Sequence, residues 1–311
     1  MKNNNLFNGE ILDDNQSWQG FVRSPEAFTP LIKHIYQINN LKLDEIFYIT
    51  VASNAVFRIG DKVIKIFYPP EAGFRYMLDC EIYEYKTELA VMNFAKNAGI
   101  LTPEIICNGI VQDKRYSFGY IVMNFIDGIS AENAIKGFDD KEKREFVLKF
   151  KEMIDKLHVK ADIDIPRFDE PERLNHVFWN NMPELFREDR KRYLANANFP
   201  EAVITHGDLS GANIIIDKQG CINLLDFAES KFAPYYCDKC CSDDPVIIET
   251  YYGGYYKSDE FYDNTTMAEL LNWWAGNSIQ WQAESMGIDF ATITSVNALK
   301  NMIIKRIERR I

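Results

Sequence analysis

One stretch in the C-terminal half, AVITHGDLSGANIIIDKQGCINLLDFAES, constrains the fold of this 311-residue chain more than any other. Its first residues, 202–205, are apolar and β-prone, and they lead into a loop that carries His206-Gly207-Asp208. Two further apolar segments, 213–217 and 221–226, are separated by a turn that ends in glycine, which is the pattern of a β-hairpin. The sequence therefore predicts a strand, a polar loop and a hairpin in succession.

The predicted hairpin brings polar side chains together. Because a hairpin folds back on itself, Asn213 at its start and Asp226 at its end become neighbours. An amide oxygen beside a carboxylate suits a Mg²⁺ ion that is held jointly with substrate phosphates. The remaining carboxylate, Asp208, is then available to orient a hydroxyl group and to accept its proton. The pattern therefore favours phosphoryl transfer.

The spacing of these residues resembles the protein-kinase catalytic loop, H-R-D-x-x-x-x-N, followed by D-F-G. His206 stands two residues before Asp208, Asn213 stands five after it, and Asp226 follows a hairpin later. Within that superfamily, the H-G-D form looks most like the aminoglycoside phosphotransferase and choline kinase family. The resemblance implies that Asp208 is the catalytic base, that Asn213 and Asp226 are metal ligands, and that His206 braces the loop.

The chain also departs from the protein-kinase pattern. Gly207 occupies the position of the arginine that, in many protein kinases, binds a phosphorylated activation loop. No Ala-Pro-Glu follows Asp226, and Ala228 replaces the glycine of D-F-G. These departures favour a small-molecule acceptor over a peptide. Family resemblance further implies that Asp238 supports the catalytic loop.

The front of the chain has the pattern of a β-rich lobe with one long helix. Residues 45–68 contain three short apolar runs, which predict a three-stranded meander. Apolar spacing predicts a helix over residues 75–96, and a further strand pair is predicted over residues 104–111 and 116–124.

Beyond this region the pattern becomes helical, with an apolar stripe along residues 141–158. We therefore predict an α+β, bilobal, protein-kinase-like fold. Its small N-terminal nucleotide-binding lobe spans residues 1–123, including an extension of about residues 1–44 whose role the pattern leaves open. Its larger, mainly helical catalytic and substrate-binding lobe spans residues 124–311. Ligands usually bind in the cleft between such lobes.

The kinase resemblance requires a phosphate-binding lysine on the third strand and a helix glutamate that holds it. In VIKIFY, Lys65 alternates with two isoleucines, so its side chain points to the opposite face of the strand. By resemblance, Lys65 reaches the α and β phosphates. Glu81, Glu84 and Glu88 share one helix face, so periodicity alone does not choose between them. The likeness of TELAVMNFAKNAGILTPEII to the end of the family's helix favours Glu88, with Glu84 as the alternative.

The loop expected to cover the phosphates, residues 51–55, contains no glycine. Its Ser53-Asn54 looks like a family pattern, so Ser53, Asn54 and adjacent backbone amides are expected to bind the nucleotide. An ordinary β-turn is the alternative interpretation. Residues 123–126 resemble the family hinge that receives adenine, through backbone groups of Asn124 and Ile126.

Composition narrows the range of partners. The formal net charge of −11 argues against nucleic-acid binding and favours cationic ligands. The start lacks a positive-then-apolar signal, and no apolar run approaches the roughly 20 residues that span a bilayer, so we expect a cytoplasmic protein without a membrane partner. The six cysteines are expected to be reduced thiols. Cys237, Cys240 and Cys241 have only the first half of a zinc-site spacing.

The resemblance predicts an O-phosphotransferase that uses ATP or GTP with Mg²⁺ and a hydroxylated small-molecule acceptor. Aminoglycosides, with antibiotic resistance as the outcome, and choline-like compounds are among the candidates. The tyrosine- and acid-rich residues 228–256 have groups that bind cations, although a solvated acidic surface over packed tyrosines is the alternative. Trp273, Trp274 and Trp281 stand at helical spacing and are predicted to be core. Protein kinase activity, or a pseudokinase that acts as an interaction module, remains an alternative function.

Overall fold

A computed structural model describes residues 6–9, 15–49, 53–71, 84–113 and 116–309. The strands are β1 Ile46–Tyr48, β2 Ala55–Ile59, β3 Lys62–Ile66, β4 Ile105–Asp113, β5 Tyr116–Asn124, β6 Gly128–Ser130, β7 Val203–Thr205, β8 Ile214–Asp217, β9 Ile222–Leu224 and β10 Lys231–Ala233. The α-helices are α1 Asn15–Phe21, α2 Pro25–Ile38, α3 Glu84–Asn97, α4 Ala131–Ala134, α5 Asp140–Leu157, α6 Pro171–Leu174, α7 Glu184–Ala195, α8 Pro245–Tyr252, α9 Asp259–Leu271, α10 Ala275–Ser285 and α11 Val296–Glu308.

The N-terminal region is an antiparallel sheet with the strand order β1-β2-β3-β5-β4. The predicted meander and the predicted strand pair are both confirmed, and β3 is the central strand, with Lys65 opposite Val56 on one side and Ile121 on the other. The described part of the predicted helix is α3. Residues 75–83 of that prediction, including Glu81, lie outside the described residues.

The two faces of this sheet belong to two different cores, because successive side chains of a strand point to opposite faces. Val63, Ile121 and Met123 pack with α3 and with α5 of the C-terminal region. Ile64 and Phe118 instead pack against residues of α2.

Helix α2 was not anticipated from the sequence. It begins after Ser24, whose hydroxyl accepts a hydrogen bond from the Ala27 N–H, and it carries a proline in its first turn. Its buried residues recur at intervals of three and four: Ala27, Phe28, Leu31, Ile32, Ile35 and Tyr36. Helix α2 therefore covers one face of the five-stranded sheet.

The C-terminal region is mainly helical around α5. The predicted apolar stripe is confirmed, since the α5 residues Phe146, Val147, Phe150, Met153, Ile154 and Leu157 are all buried. Two small sheets, β6-β8-β9 and β7-β10, carry the polar loop and the predicted hairpin. Among the described residues, no helix is both long and apolar enough to cross a membrane.

The tryptophan prediction is right for Trp273 and wrong for the other two. Trp273 is buried, but Trp274 is 48% exposed and Trp281 is 70% exposed. The reason is that α10 packs through the face formed by Ala275, Ile279 and Ala283. Because Trp281 lies two residues after Ile279, it projects from the opposite side of the helix.

Candidate active site

Lys65 lies at the centre of a buried ion-pair cluster. Its ammonium nitrogen is 2.5 Å from Oε2 of Glu88 and 2.6 Å from Oδ1 of Asp226. Strand β3 directs Lys65 to the sheet face on which α3 packs, and one helical turn after its start α3 presents Glu88. Glu88, which the family likeness favoured over Glu84, is thus the helix glutamate that lies beside the lysine.

Two carboxylates share this one ammonium group. Burial opposes the charge of Lys65, yet Asp226 and Glu88 raise its pKa above the ordinary value. Burial raises the pKa of Glu88 to about 7, although Lys65 favours the ionised form. Burial acts in the same direction on Asp226, but Lys65 outweighs it and lowers the pKa of this carboxyl. Since 33% of the Asp226 side chain is exposed and that of Glu88 is almost fully enclosed, Asp226 is the stronger acid of the two.

The backbone turns sharply at Asp226. Its φ of 62° is left-handed, a conformation that aspartate tolerates better than most residues. Immediately before it, the Leu225 N–H donates to the carbonyl of Asn213 at 2.9 Å, which closes the hairpin. The hairpin therefore brings Asn213 and Asp226 to adjacent positions. Strained backbone of this kind is concentrated at functional sites.

Asp208 and Asn213 are joined directly. The amide nitrogen of Asn213 donates to Oδ2 of Asp208 and to its backbone carbonyl, each at 2.9 Å. Asp208 is exposed, so its carboxylate is accessible to a ligand. Because both contacts use the amide nitrogen, the amide oxygen of Asn213 is turned away from Asp208.

Asp238 holds this loop from its buried side. Its Oδ2 accepts the His206 N–H at 2.7 Å, and its Oδ1 accepts the Gly207 N–H at 3.0 Å. His158, at the end of α5, lies 3.0 Å from the same Oδ2. Burial raises the pKa of Asp238, but the hydrogen bond from His158 and the other contacts bring it below the usual range. The carboxylate is therefore ionised and ties the end of α5 to the polar loop.

His206 is fully buried and joins the loop to the hairpin. Its Nε2 lies 2.9 Å from the carbonyl of Leu225, and its Nδ1 accepts the Asp208 N–H at 3.3 Å. A carbonyl needs a donor and an N–H needs an acceptor, so these contacts assign the neutral Nε2–H tautomer. Its ring lies 4.9 Å from that of Phe227. His206 therefore has a bracing geometry rather than an open, reactive one.

Gly207 is required by the space around the loop. Its φ is 85°, and an added Cβ would lie 2.0 Å from the backbone oxygen of Glu229. We expect Gly207→Ala to lower the free energy of unfolding by about 2–4 kcal/mol, because both strain and collision must be relieved. Chemical denaturation measures this difference.

Gly220→Ala is the matched control, because Gly220 also has a positive φ, 77°, but a Cβ there meets nothing within 4 Å. Gly220→Ala introduces the backbone strain without the steric collision, and it is expected to lower the free energy of unfolding by about 1 kcal/mol. Equal losses for the two variants would contradict the steric argument.

The two described residues before β2, Ser53 and Asn54, are held from two sides. Ser53 is exposed, and its carbonyl accepts the indole N–H of Trp18 at 2.6 Å. The Asn54 side chain is only 1% exposed, donates to Oε2 of Glu84 at 2.8 Å, and accepts the Tyr68 N–H at 3.3 Å. The enclosed Asn54 side chain thus links this segment to α3, and nucleotide binding by Asn54 stays a prediction. The predicted positions Val51 and Ala52 lie outside the described residues.

Glu84 adds a pH-sensitive carboxyl to this region. Burial and then the charge of Glu229 raise its pKa to about 7, against the bond from Asn54 and the charge of Lys65. Because the folded state binds this proton more tightly than the unfolded state, the stability contribution is present at low pH and is lost as the pH rises from about 4.5 to about 7.

We therefore expect Glu84→Gln, which is always neutral, to be more stable than the wild type at pH 8 by about 1–2 kcal/mol. The difference shrinks at pH 5. Denaturant unfolding at the two pH values measures it. Glu188→Gln, at an exposed position on α7, is the control. A pH-independent difference for Glu84→Gln would contradict the assignment.

The predicted hinge lies at the end of β5. The Asn124 N–H donates to the carbonyl of Glu104 at 3.0 Å, and the Phe125 N–H donates to that of Asp61 at 2.9 Å. The guanidinium of Arg58 lies 3.8 Å from the centre of the Phe125 ring. These contacts fix the backbone at the junction that leads to Ile126.

The tyrosine-rich segment lines a cavity of about 420 Å³ between α5, α8, α9 and α11. Its walls include Tyr251, Tyr252, Asp243 and Glu260. Neither Asp208 nor the Lys65 cluster lines it. Asp244, an acidic residue of the same segment, instead caps α8 and pairs with Lys143 at 2.7 Å.

The chain matches the model of a known family. The model of the phosphotransferase enzyme family matches residues 51–240, which is more than half of the chain. No curated protein sequence matches the chain.

Solved structures share its architecture. The GDP complex of wild-type aminoglycoside 2'-phosphotransferase-IIIa is 12% identical, with a TM-score of 0.59, over 89% of this chain and 98% of that one. The streptomycin–ATP ternary complex of APH(2")-IIa is 16% identical, with a TM-score of 0.56, over 86% and 97%. Choline kinase LicA from Streptococcus pneumoniae is 15% identical, with a TM-score of 0.53, over 88% and 99%. At these identities the likeness establishes the fold, which is the predicted bilobal, protein-kinase-like one.

Proposed function

The chain belongs to the phosphotransferase enzyme family, and we propose that it transfers the γ-phosphoryl group of ATP or GTP to a hydroxyl group of a small molecule. The observation that carries this proposal is the position of Lys65 between Glu88 and Asp226, at 2.5 and 2.6 Å. A buried lysine held by two carboxylates has a fixed ammonium group, which suits a binding site for phosphate oxygens.

Within this proposal, Lys65 binds the α and β phosphates and Glu88 keeps its side chain in place. The lysine has little rotational freedom to lose when phosphate arrives, because its ammonium is already held at the end of β3. Positioning and electrostatic stabilisation supply most of the rate acceleration in phosphoryl transfer.

The donor set at the end of the hairpin fits Mg²⁺. Asp226 offers a partly exposed carboxylate, and Asn213 offers an amide oxygen turned away from Asp208. Both are hard oxygen donors of the kind that Mg²⁺ prefers together with phosphates. We propose that these two residues hold the ion. When bound, Mg²⁺ neutralises negative charge on the phosphates.

Asp208 is the proposed catalytic base. Its carboxylate is exposed, and one oxygen accepts the hydrogen bond from Asn213, which fixes the orientation of the group. The acceptor hydroxyl would donate to the carboxylate, which aligns it for attack and takes its proton. His206 and Asp238 position the loop through the backbone contacts described above.

At the hinge we propose that the carbonyl of Asn124 and the N–H of Ile126 bind the base of the nucleotide. The N–H of Asn124 already donates to Glu104, so the carbonyl is the group that we assign to the ligand. Ser53 and nearby backbone amides would face the phosphates. We propose that the boundary between the two lobes lies after residue 123, one residue before β5 ends.

For the acceptor we propose a hydroxylated compound that carries amino or quaternary ammonium groups. The net charge of −11 attracts cations over long distances. The tyrosine rings and carboxylates of residues 228–256 have the chemistry that binds ammonium groups at short distances.

The proposal is tested by labelling. The purified protein is incubated with γ-labelled ATP or GTP and Mg²⁺, together with a panel of aminoglycosides, amino alcohols and sugar amines, or with a protein extract. Label in a small molecule supports the proposal. Label confined to protein would indicate a protein kinase, and the absence of label from both, despite nucleotide binding, would indicate a pseudokinase.

A further inference from the structure

The indole of Trp18 holds the loop that precedes β2. Its Nε1–H donates to the carbonyl of Ser53 at 2.6 Å, and the two residues are 35 apart in sequence. The side chain is 1% exposed, and its ring lies 5.7 Å from Phe28 and 6.1 Å from Tyr68. Helix α1 thus supplies a hydrogen-bond donor whose orientation is fixed by packing.

The next residue of the loop is held from the other side. Asn54 donates to Glu84 on α3 and accepts the backbone N–H of Tyr68, which follows β3. Consecutive residues of one loop are therefore attached to α1, to α3 and to the end of β3. All three attachments leave the Ser53 side chain exposed.

These contacts compensate for the absence of glycine. A glycine-rich loop brings its N–H groups close to phosphate through unusual backbone angles. Residues 51–55 contain no glycine, so a binding conformation has to be stabilised by outside contacts. Residues that are held in place before the ligand arrives, as Ser53 and Asn54 are, lose less conformational entropy on binding.

We propose that Trp18 is a positioning residue for the phosphates of the nucleotide, and that the N-terminal extension is for this reason a functional part of the phosphate site. The inference rests on the proposed function and goes beyond the family match, which begins at residue 51, after Trp18. It assigns a role to the extension that the family motifs do not contain. Trp18 acts through Ser53 and does not itself touch the ligand.

The test replaces Trp18 with β-(3-benzothienyl)alanine, which has nearly the shape of tryptophan but no N–H. Calorimetry then measures the binding of Mg-ADP and of adenosine to the full chain. The loss of one hydrogen bond predicts about 3- to 10-fold weaker binding of Mg-ADP. Adenosine, which lacks phosphates, is expected to bind with unchanged affinity.

Phe28→Leu is the control for packing, because Phe28 is fully buried against Trp18 and donates no hydrogen bond. It is expected to lower the melting temperature while keeping the ratio of the two affinities. Unchanged Mg-ADP affinity in the benzothienyl variant, or equal weakening of both ligands, would overturn the inference. A wild type that binds no nucleotide would instead overturn the proposed function.

Discussion

Asp208→Asn is expected to lower turnover by about 10²- to 10⁴-fold while nucleotide affinity stays within about twofold of the wild type. The amide has the shape of the carboxylate and still accepts the hydrogen bond from Asn213, which is 2.9 Å long in the wild type. What the variant loses is the ability to take a proton and the negative charge that orients the hydroxyl. The measurement is kcat with the acceptor that the labelling screen identifies, together with the Kd of Mg-ADP.

The same substitution at Asp127 is the control. Asp127 is exposed and pairs with Lys218 on the surface, so Asp127→Asn should leave kcat within about twofold. If Asp208→Asn turned over at the wild-type rate, Asp208 would have no part in the reaction.

Lys65→Met is expected to reduce kcat/KM by at least about 10²-fold and to lower the free energy of unfolding by about 3 kcal/mol at pH 8. Two separate losses are combined in this variant. The phosphates lose their fixed ammonium group, and Glu88 and Asp226 are left side by side without the cation that lies within 2.6 Å of both.

A double variant separates the two losses. In Lys65→Met/Glu88→Gln the buried carboxylate is gone, so most of the stability should return. The kcat/KM should stay low, because the phosphate-binding ammonium is still missing. Recovery of activity along with stability would show that Lys65 serves only the fold.

The parts of the site that lie close together in sequence could be predicted from it. The spacing of Asp208, Asn213 and Asp226 determines a loop and a hairpin, and hairpin pairing places Asn213 beside Leu225 and Asp226 whatever surrounds them. Alternation along β3 likewise determines the sheet face that carries Lys65. Glycine at position 207 stood in the motif, but the collision with Glu229 that requires it is visible only in three dimensions.

Whether a given side chain is exposed or buried, and what it contacts, was harder to predict from the sequence. The motif grouped Ser53 with Asn54, yet one side chain is exposed and the other is enclosed against α3. Helical spacing likewise did not decide which face of α10 would pack. Such outcomes depend on which neighbouring element arrives at each face, and local sequence does not contain that information.

Helix α2 was missed although its signals were present. Ser24 followed by Pro25 is a helix start, and the apolar residues after it recur at intervals of three and four. The contact of Trp18 with Ser53 had no comparable signal, because it joins segments 35 residues apart. No pattern within either segment specifies the other.

Because α2 covers one face of the five-stranded sheet, the start of the family match at residue 51 is not the start of a folding unit. A polypeptide that began at residue 51 would expose Phe57, Ile64 and Phe118 to water as a contiguous hydrophobic surface, which promotes aggregation. A gene fusion in the laboratory, or a recombination event in evolution, therefore has to include roughly the first forty residues if the transferred region is to fold.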